Sequence, residues 1–299
     1  YRWIAEKVLR VFGEARSRDV NDWITKISGI EKIELNVTLK NFPVGVGPLR
    51  LAFLSDFHVG PSTGPLVLQK AFQIVSDWEP DLILLGGDYV FFSADYAQEL
   101  ATLLYSCSPR FGIFAGWGNH DWAAGRMRIS RLMSEANVRF LRNESIALSH
   151  PYDKIWIAVV DDASEGYLDT HAALRRVEHD ACMLLLSHNP DGIMRLGTDK
   201  KNKRPDLVLS GHTHGGQICL PGGQPIVMPC QLGRRFPGGL FETEWGRLYV
   251  SRGVGCGGVP FRLFAPPEVA LLTLEAGSAG ADVNKRSNKE QKTENGNLE

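Results

Sequence analysis

Short apolar runs that end in small or polar residues recur along the chain. Leu49-Arg50-Leu51-Ala52-Phe53-Leu54, Asp81-Leu82-Ile83-Leu84-Leu85 and Phe111-Gly112-Ile113-Phe114-Ala115-Gly116 each predict a strand, as do residues 154–160, 181–186 and 207–209. Runs this short with little polar alternation suit strands covered on both faces. Between them, residues 65–78, 94–105, 127–136 and 170–177 carry apolar positions at helical spacing, the first opening on Pro65 after Thr63-Gly64. Residues 32–40 alternate strictly and predict a half-buried strand ahead of this repeat, and 247–250 and 269–274 predict two strands after it. Strand alternating with helix indicates an α/β fold.

The ends differ from the middle. Residues 1–28 read as a helical segment with Trp3, Ile4, Val8, Leu9, Val11 and Phe12 as an apolar stripe. Over residues 1–18 five basic side chains face two acidic ones, Glu6 and Glu14. A basic amphipathic helix with a Trp suits an anionic membrane surface, and the same stripe suits packing on the domain. Residues 29–275 form one domain on this reading. Residues 276–299 are almost devoid of apolar side chains and predict a disordered tail.

Composition narrows the class. The chain has 299 residues, 43% hydrophobic and 22% charged, with formal net charge −1, so it reads as an ordinary globular protein without a basic field for nucleic acid. Its five cysteines are scattered, and none forms a C-x-x-C pair, which predicts free thiols in a reducing compartment. There is no apolar run long enough to span a bilayer. The chain starts at Tyr1 rather than Met, which leaves open an anchor ahead of it.

The chemistry lies where the strands stop. The run at 49–54 ends in Asp56 and His58, the run at 81–85 in Asp88, the run at 111–116 in Asn119 and His120, the run at 181–186 in His188, and the run at 207–209 in His212 and His214. Any one of these has a plain reading, since an aspartate after a strand commonly caps a turn. Five successive ends with metal-capable atoms do not, because ligands of open α/β sheets bind outside the carboxyl ends of the strands. Asp56, His58, Asp88, Asn119, His188, His212 and His214 are too many ligands for one hydrated ion and suit two divalent ions sharing a carboxylate. The mixed nitrogen and oxygen set favours Mn, Fe, Zn or Co.

In order, Asp56-x-His58, Gly87-Asp88, Gly118-Asn119-His120-Asp121, His188 and Gly211-His212-Thr213-His214 resemble the five motifs of calcineurin-like metallophosphoesterases over residues 50–274. The resemblance implies a four-layer α/β/β/α sandwich. It implies one ion, most simply Mn2+, on Asp56, His58 and His214, a second on Asn119, His188 and His212, and Asp88 between them. It implies hydrolysis of a phosphoester by a hydroxide bridging two cations about 3.5–4 Å apart. His120 would stabilise the developing charge or protonate the leaving oxygen, and Asp121 would orient His120 or cap the following helix.

Ser187-His188-Asn189-Pro190-Asp191, Ser251-Arg252-Gly253-Val254-Gly255 and Pro260-Phe261-Arg262 further resemble the bacterial membrane-associated branch. That branch holds phosphodiesterases and a UDP-2,3-diacylglucosamine pyrophosphohydrolase of lipid A synthesis, which releases UMP and a lipid sugar phosphate. It implies a phosphorylated small-molecule or lipid substrate at the cytoplasmic face of the inner membrane, with the protein peripheral or anchored. Arg234, Arg235, Arg252 and Arg262, mixed with Phe236, Leu240, Phe241, Phe261 and Phe264, are candidates to hold phosphate and acyl chains, and the same residues also suit core and solvated surface. The motif Gly87-Asp88-Tyr89-Val90-Phe91-Phe92 lacks the acid or amide that often follows this aspartate in the family. An inert scaffold of the same fold is disfavoured, because all seven ligand positions and His120 are present.

Overall fold

The computed structural model describes residues 13–197 and 203–277. The apolar stripe expected over residues 3–12 and the tail beyond residue 277 lie outside the described residues.

Strands β1 (Glu31–Leu39), β2 (Leu49–Leu54), β3 (Leu82–Leu85), β4 (Ile113–Ala115) and β5 (Val138–Phe140) form one sheet together with the late strand β14 (Glu268–Ala276). Its order is β1-β14-β2-β3-β4-β5, with β14 parallel to β1 and antiparallel to β2. A second sheet is built from β6 (Glu144–Ala147), β7 (Ile155–Val159), β8 (Cys182–Leu186), β9 (Leu207–Ser210), β12 (Gly239–Thr243) and β13 (Gly246–Val250), in the order β12-β13-β9-β8-β7-β6. A two-stranded hairpin, β10 (Cys219–Leu220) with β11 (Gln224–Pro225), stands apart.

Side-chain period explains the layering. Successive side chains in a strand point to opposite faces. Leu49, Leu51 and Phe53 of β2 meet Leu184 and Leu186 of β8 and Leu207 and Leu209 of β9 in the core between the sheets. Ala52 and Leu54, on the other face of β2, pack under helices α2 (Pro65–Trp78), α3 (Ala97–Tyr105) and α5 (Arg126–Ser134) through Val67, Leu68, Leu100, Leu104, Ile129 and Met133. Met183 and Leu185 of β8 face outward onto Ala173 of α6 (Thr170–Leu174) and Leu232 of α7 (Gln231–Arg235). The result is helix, sheet, sheet, helix, the α/β sandwich that the motifs imply.

The N-terminal helix α1 (Glu14–Ser28) is turned inside out. Its buried residues are Ser17, Asn21 and Thr25, whereas Val20, Trp23 and Ile27 are exposed, Trp23 by 63%. Polar contacts hold it to the body. Arg18 makes a two-pronged pair with Glu99 at 3.0 and 2.6 Å, and Asn21 Oδ1 accepts the Gly64 N–H at 2.9 Å. Among the described residues no helix is long and apolar enough to cross a membrane.

Candidate metal centre

All seven expected ligands stand at the carboxyl ends of strands, but the strands belong to two sheets. Asp56 and His58 follow β2, Asp88 follows β3, and Asn119 opens α4 (Asn119–Ala124) after β4, all from the first sheet. His188 follows β8, and His212 and His214 follow β9, from the second. The crevice therefore lies across the sandwich seam rather than on one sheet. Backbone bonds lace the loops together: Asp56 N–H donates to Gly87 O at 2.9 Å, His58 N–H to Asp88 O at 3.0 Å, and Gly211 N–H to His188 O at 2.9 Å.

The backbone bends sharply to aim these side chains. Asp56, His58, Asp88, His212 and His214 have φ of 54°, 43°, 56°, 67° and 53°. Left-handed backbone at non-glycine residues costs energy and clusters at functional sites. Two glycines allow the close approach. A Cβ on Gly118 would stand 2.1 Å from Asp88 Oδ1, and one on Gly211 would stand 2.3 Å from Asp56 Oδ2.

The expected ligand atoms form two groups, and His120 makes a third with His58 and Asp88. Asp56, His58 and His214 converge in one: His58 Nε2 lies 2.9 Å from His214 Nε2, which is 3.6 Å from Asp56 Oδ1. Asp88, His188 and His212 converge in the other. Asp88 Oδ2 stands between the groups, 3.5 Å from His58 Nε2 and 3.3 Å from His188 Nε2. Asn119 and His120 line the same cavity as His58, Asp88, His212 and His214.

Three buried side-chain atoms here lack any hydrogen-bond partner: His58 Nδ1, Asn119 Oδ1 and His188 Nε2. His188 Nε2 faces Asp88, whereas His58 turns its other nitrogen, Nε2, to the cluster. His188 donates its Nδ1–H to Gly86 O at 2.8 Å, which turns Nε2 toward Asp88 Oδ2 at 3.3 Å. Unpartnered buried polar atoms are rare and costly, so their concentration here fits a cation site. The donor set fits a borderline divalent ion.

Electrostatics agree. Burial drives the pKa values of His58 and His214 well below the usual imidazole range, and burial with the neighbouring His188 lowers His212 to about 3, so these rings are neutral. Burial raises Asp56 to about 6 against the opposing pull of His188. Burial also works against charge on Asp88 and His188, yet their mutual attraction overrides it, lowering Asp88 and raising His188. The proton that Asp88 draws onto His188 stands where a bound cation would supply the positive charge instead.

His120 is half-buried. Its ring stacks on Phe91 at 4.7 Å and meets His58 edge-on at 4.7 Å, and its backbone N–H donates to Asp88 Oδ1 at 2.9 Å. Asp121 does not turn toward that ring. It accepts the backbone N–H groups of Asp88 (2.8 Å), Tyr89 (2.8 Å) and Gly118 (3.0 Å), so of the two roles expected it takes the capping one and adds a clamp on Asp88.

The four arginines are spread out. Arg234 and Arg235 lie in α7 outside the cavity lining, Arg235 over the Phe236 ring. Arg252 is held by Glu268 at 2.5 Å and by Glu31. Arg262 donates to His214 O and Gly255 O. Phe236 belongs to the outer core, whereas Phe261 and Phe264 are exposed beside Leu263. Phe91, not read as a site residue from sequence, lines the cavity and touches two of its histidines. Its one signal was that the run after Asp88 is aromatic and lacks the acid or amide that often follows this aspartate in the family.

Known proteins bear the same pattern. The calcineurin-like phosphoesterase family pattern matches residues 49–216. The uncharacterized metallophosphoesterase YkuE of Bacillus subtilis (strain 168) is 31% identical over 252 residues, covering 83% of this chain and 86% of that protein. Phosphodiesterase YaeI of Escherichia coli (strain K12) is 31% identical over 243 residues, covering 78% and 84%. A transmembrane protein with metallophosphoesterase domain from Danio rerio is 28% identical over 257 residues, covering 81% of this chain and 57% of that longer protein. With the family pattern spanning more than half of the chain and the donor groups gathered at one crevice, the chain belongs to the calcineurin-like phosphoesterases and is a metal-dependent phosphoester hydrolase.

Proposed function

We propose that the chain hydrolyses phosphodiesters. In this reading Asp56, His58 and His214 hold one divalent cation, Asn119, His188 and His212 hold a second, and Asp88 lies between them. When bound, such a pair supplies Lewis-acid charge to the phosphoryl oxygens and a nucleophile from water. His120 also stands within 4.8 Å of the ligand atoms of His58 and Asp88, and in this reading it holds the proton for the leaving oxygen rather than a cation. Phe91 packs against its ring and keeps that imidazole at the cavity wall.

The observation that carries the diester reading is a two-armed cleft. One arm runs from the histidines past Gln217, Val227 and Pro229, and the other past Phe92, Ala123 and Glu165. Phe91, Asn119 and His120 line both. In diester hydrolysis one substituent departs with the leaving oxygen and the other stays on phosphorus, and two arms give room for both. Arg252 and Arg262 are engaged by Glu268, Glu31 and His214, which argues against their clamping a second phosphate. The relative named a phosphodiesterase agrees.

A membrane-associated substrate is the finer reading. Val20, Trp23 and Ile27 make an exposed apolar stripe on α1, a form suited to a bilayer surface. The Danio rerio relative is named as a transmembrane protein. On this reading the protein works at a membrane face, and UDP-2,3-diacylglucosamine remains the amphiphilic diphosphate to test.

The experiment is a substrate panel with the Mn2+-loaded protein, Fe, Zn and Co being the other ions to load: bis(p-nitrophenyl) phosphate, p-nitrophenyl phosphate, and UDP-2,3-diacylglucosamine in detergent. Turnover of the diester above the monoester is expected. Turnover of the monoester alone overturns the diester reading, and cleavage of the diphosphate without the simple diester replaces it with the lipid A one. Trp23→Glu is expected to release the protein from anionic vesicles; unchanged binding removes the role of α1.

A further inference from the structure

One arm of the cleft carries a carboxylate and no basic side chain. Its walls are Phe91, Phe92, Asn119, His120, Ala123 and Glu165. Glu165 is exposed and is tied down through its backbone, whose N–H donates to Asp162 Oδ1 at 2.8 Å. Among the described residues no hydrogen bond or ion pair engages its carboxylate. The neighbouring guanidinium is already committed, since Arg142 Nε donates to Asp161 Oδ2 at 2.7 Å.

The loop that presents Glu165 is fixed in shape. Asp162 Oδ1 also accepts the Ser164 N–H at 2.9 Å, and Asp162 O accepts the Gly166 N–H at 3.2 Å. Asp161 accepts the Tyr167 N–H at 2.9 Å and the Trp122 indole N–H at 3.1 Å, which pins the loop to α4. Asn189 Nδ2 donates to Ser164 Oγ at 3.1 Å and pins it to the segment after β8. A Cβ on Gly166 would stand 2.6 Å from Asp161 Oδ1, so the turn closes tightly on the carboxylates beneath it. Both aspartates are buried. Glu165 is thus held at a set place in the arm that His120 and Asn119 share with the metal centre.

We propose that this arm is the specificity subsite for an ammonium-bearing substituent of the diester, with Glu165 as its counter-ion; this rests on the diester reading above and names the substrate class within it. A carboxylate covered by substrate loses its water, and a cation compensates that loss best. Aromatic walls add to the attraction for an alkylammonium. A second phosphate in this arm would instead meet like charge with no Lys or Arg to offset it. The substrate is then a zwitterion, its phosphate at the metal centre and its positive group beside Glu165.

The test uses the Mn2+-loaded protein and two diesters that differ by one charge: p-nitrophenyl phosphorylcholine and its carbon isostere, p-nitrophenyl 3,3-dimethylbutyl phosphate. In both, water adds to phosphorus, the P–O bond to the aryl group breaks, and p-nitrophenol leaves. Wild type is expected to prefer the choline ester in kcat/KM by about 3–30-fold, the range for a partly desolvated charge contact. Glu165→Gln is expected to lose that preference, and Glu165→Lys to reverse it. Equal kcat/KM for the pair in wild type, or a preference that survives both variants, overturns the proposal, while turnover of bis(p-nitrophenyl) phosphate still upholds the diester reading. No turnover of any diester overturns both. Phosphatidylcholine vesicles and glycerophosphocholine, each against its glycerol-headed counterpart, tell a lipid from a soluble source; preference for the choline form in neither overturns the proposal.

Discussion

Asp121 Oδ2 accepts the backbone N–H of Asp88 at 2.8 Å, and both carboxylates are buried. The same side chain takes the N–H groups of Tyr89 and Gly118, so it ties the loop after β3 to the turn into α4. Asp121→Asn keeps the size but offers one accepting oxygen and an NH2 group that faces donors. Each buried donor left unpaired costs about 1–3 kcal/mol. Urea unfolding should show a loss of that order, with weaker Mn2+ uptake. A variant as stable as wild type would contradict the clamp.

Arg252 and Glu268 form a structural pair. Glu268 is buried and also accepts the Tyr249 hydroxyl at 2.6 Å. Arg252→Ala strands that carboxylate, and breaking a buried pair from one side costs about 3–5 kcal/mol. The KM for a small diester should stay at the wild-type value. A raised KM with unchanged stability would instead return Arg252 to substrate binding.

His120→Gln is expected to cut turnover of bis(p-nitrophenyl) phosphate by ~10²–10⁴, the usual worth of a general acid, without loss of metal. Elemental analysis of the purified variant checks the second half. Loss of an ion would make His120 a ligand, as its place in the third donor group with His58 and Asp88 allows.

Chelation should destabilise the whole domain, because the crevice joins both sheets. Asp56, Asp88 and the bare histidine nitrogens then keep their desolvation without a compensating cation. Ligand binding to the folded state alone adds about 2.7 kcal/mol at 100-fold excess over Kd. Thermal unfolding of the chelated protein with and without added Mn2+ reads this directly. An unmoved midpoint would argue that the crevice binds no cation.

The docking of α1 should weaken in alkali. The Tyr96 hydroxyl donates to Glu14, and burial with that contact pushes its pKa up to about 12. A folded-state value above the unfolded one means the contribution is complete below about pH 10 and is lost as pH rises through about 12. Tyr96→Phe should therefore be less stable than wild type at pH 9, and the gap should close by pH 12. A gap that is absent at pH 9, or constant with pH, would remove this role.

Much of the second layer was not legible in the sequence. The inner strands stood out because both faces of β2, β8 and β9 are apolar. The edge strands β6 and β12 did not, since they are half-exposed and carry few apolar residues. Nor did pairing order: β14 lies between β1 and β2 although more than 200 residues separate it from either in sequence. Residues 127–136, expected as a helix, lie in helix α5 with Ile129 and Met133 fully buried, and β5 follows.

What the sequence determined by itself was chemical: which atoms can bind a cation, and that they follow strands. Donor type is a property of each residue, and strand ends are marked by local hydrophobic pattern. What only the tertiary structure decided was relational. Asp56 and His214 meet although 158 positions separate them, because two sheets pack with their carboxyl ends at one seam. Arg252 and Arg262 looked alike as phosphate ligands, and the fold sent one to Glu268 and the other to His214. The apolar side of α1 ended outside for the same reason. Long side chains and amphipathic helices take the partners that long-range packing brings within reach, and no local pattern encodes those distances.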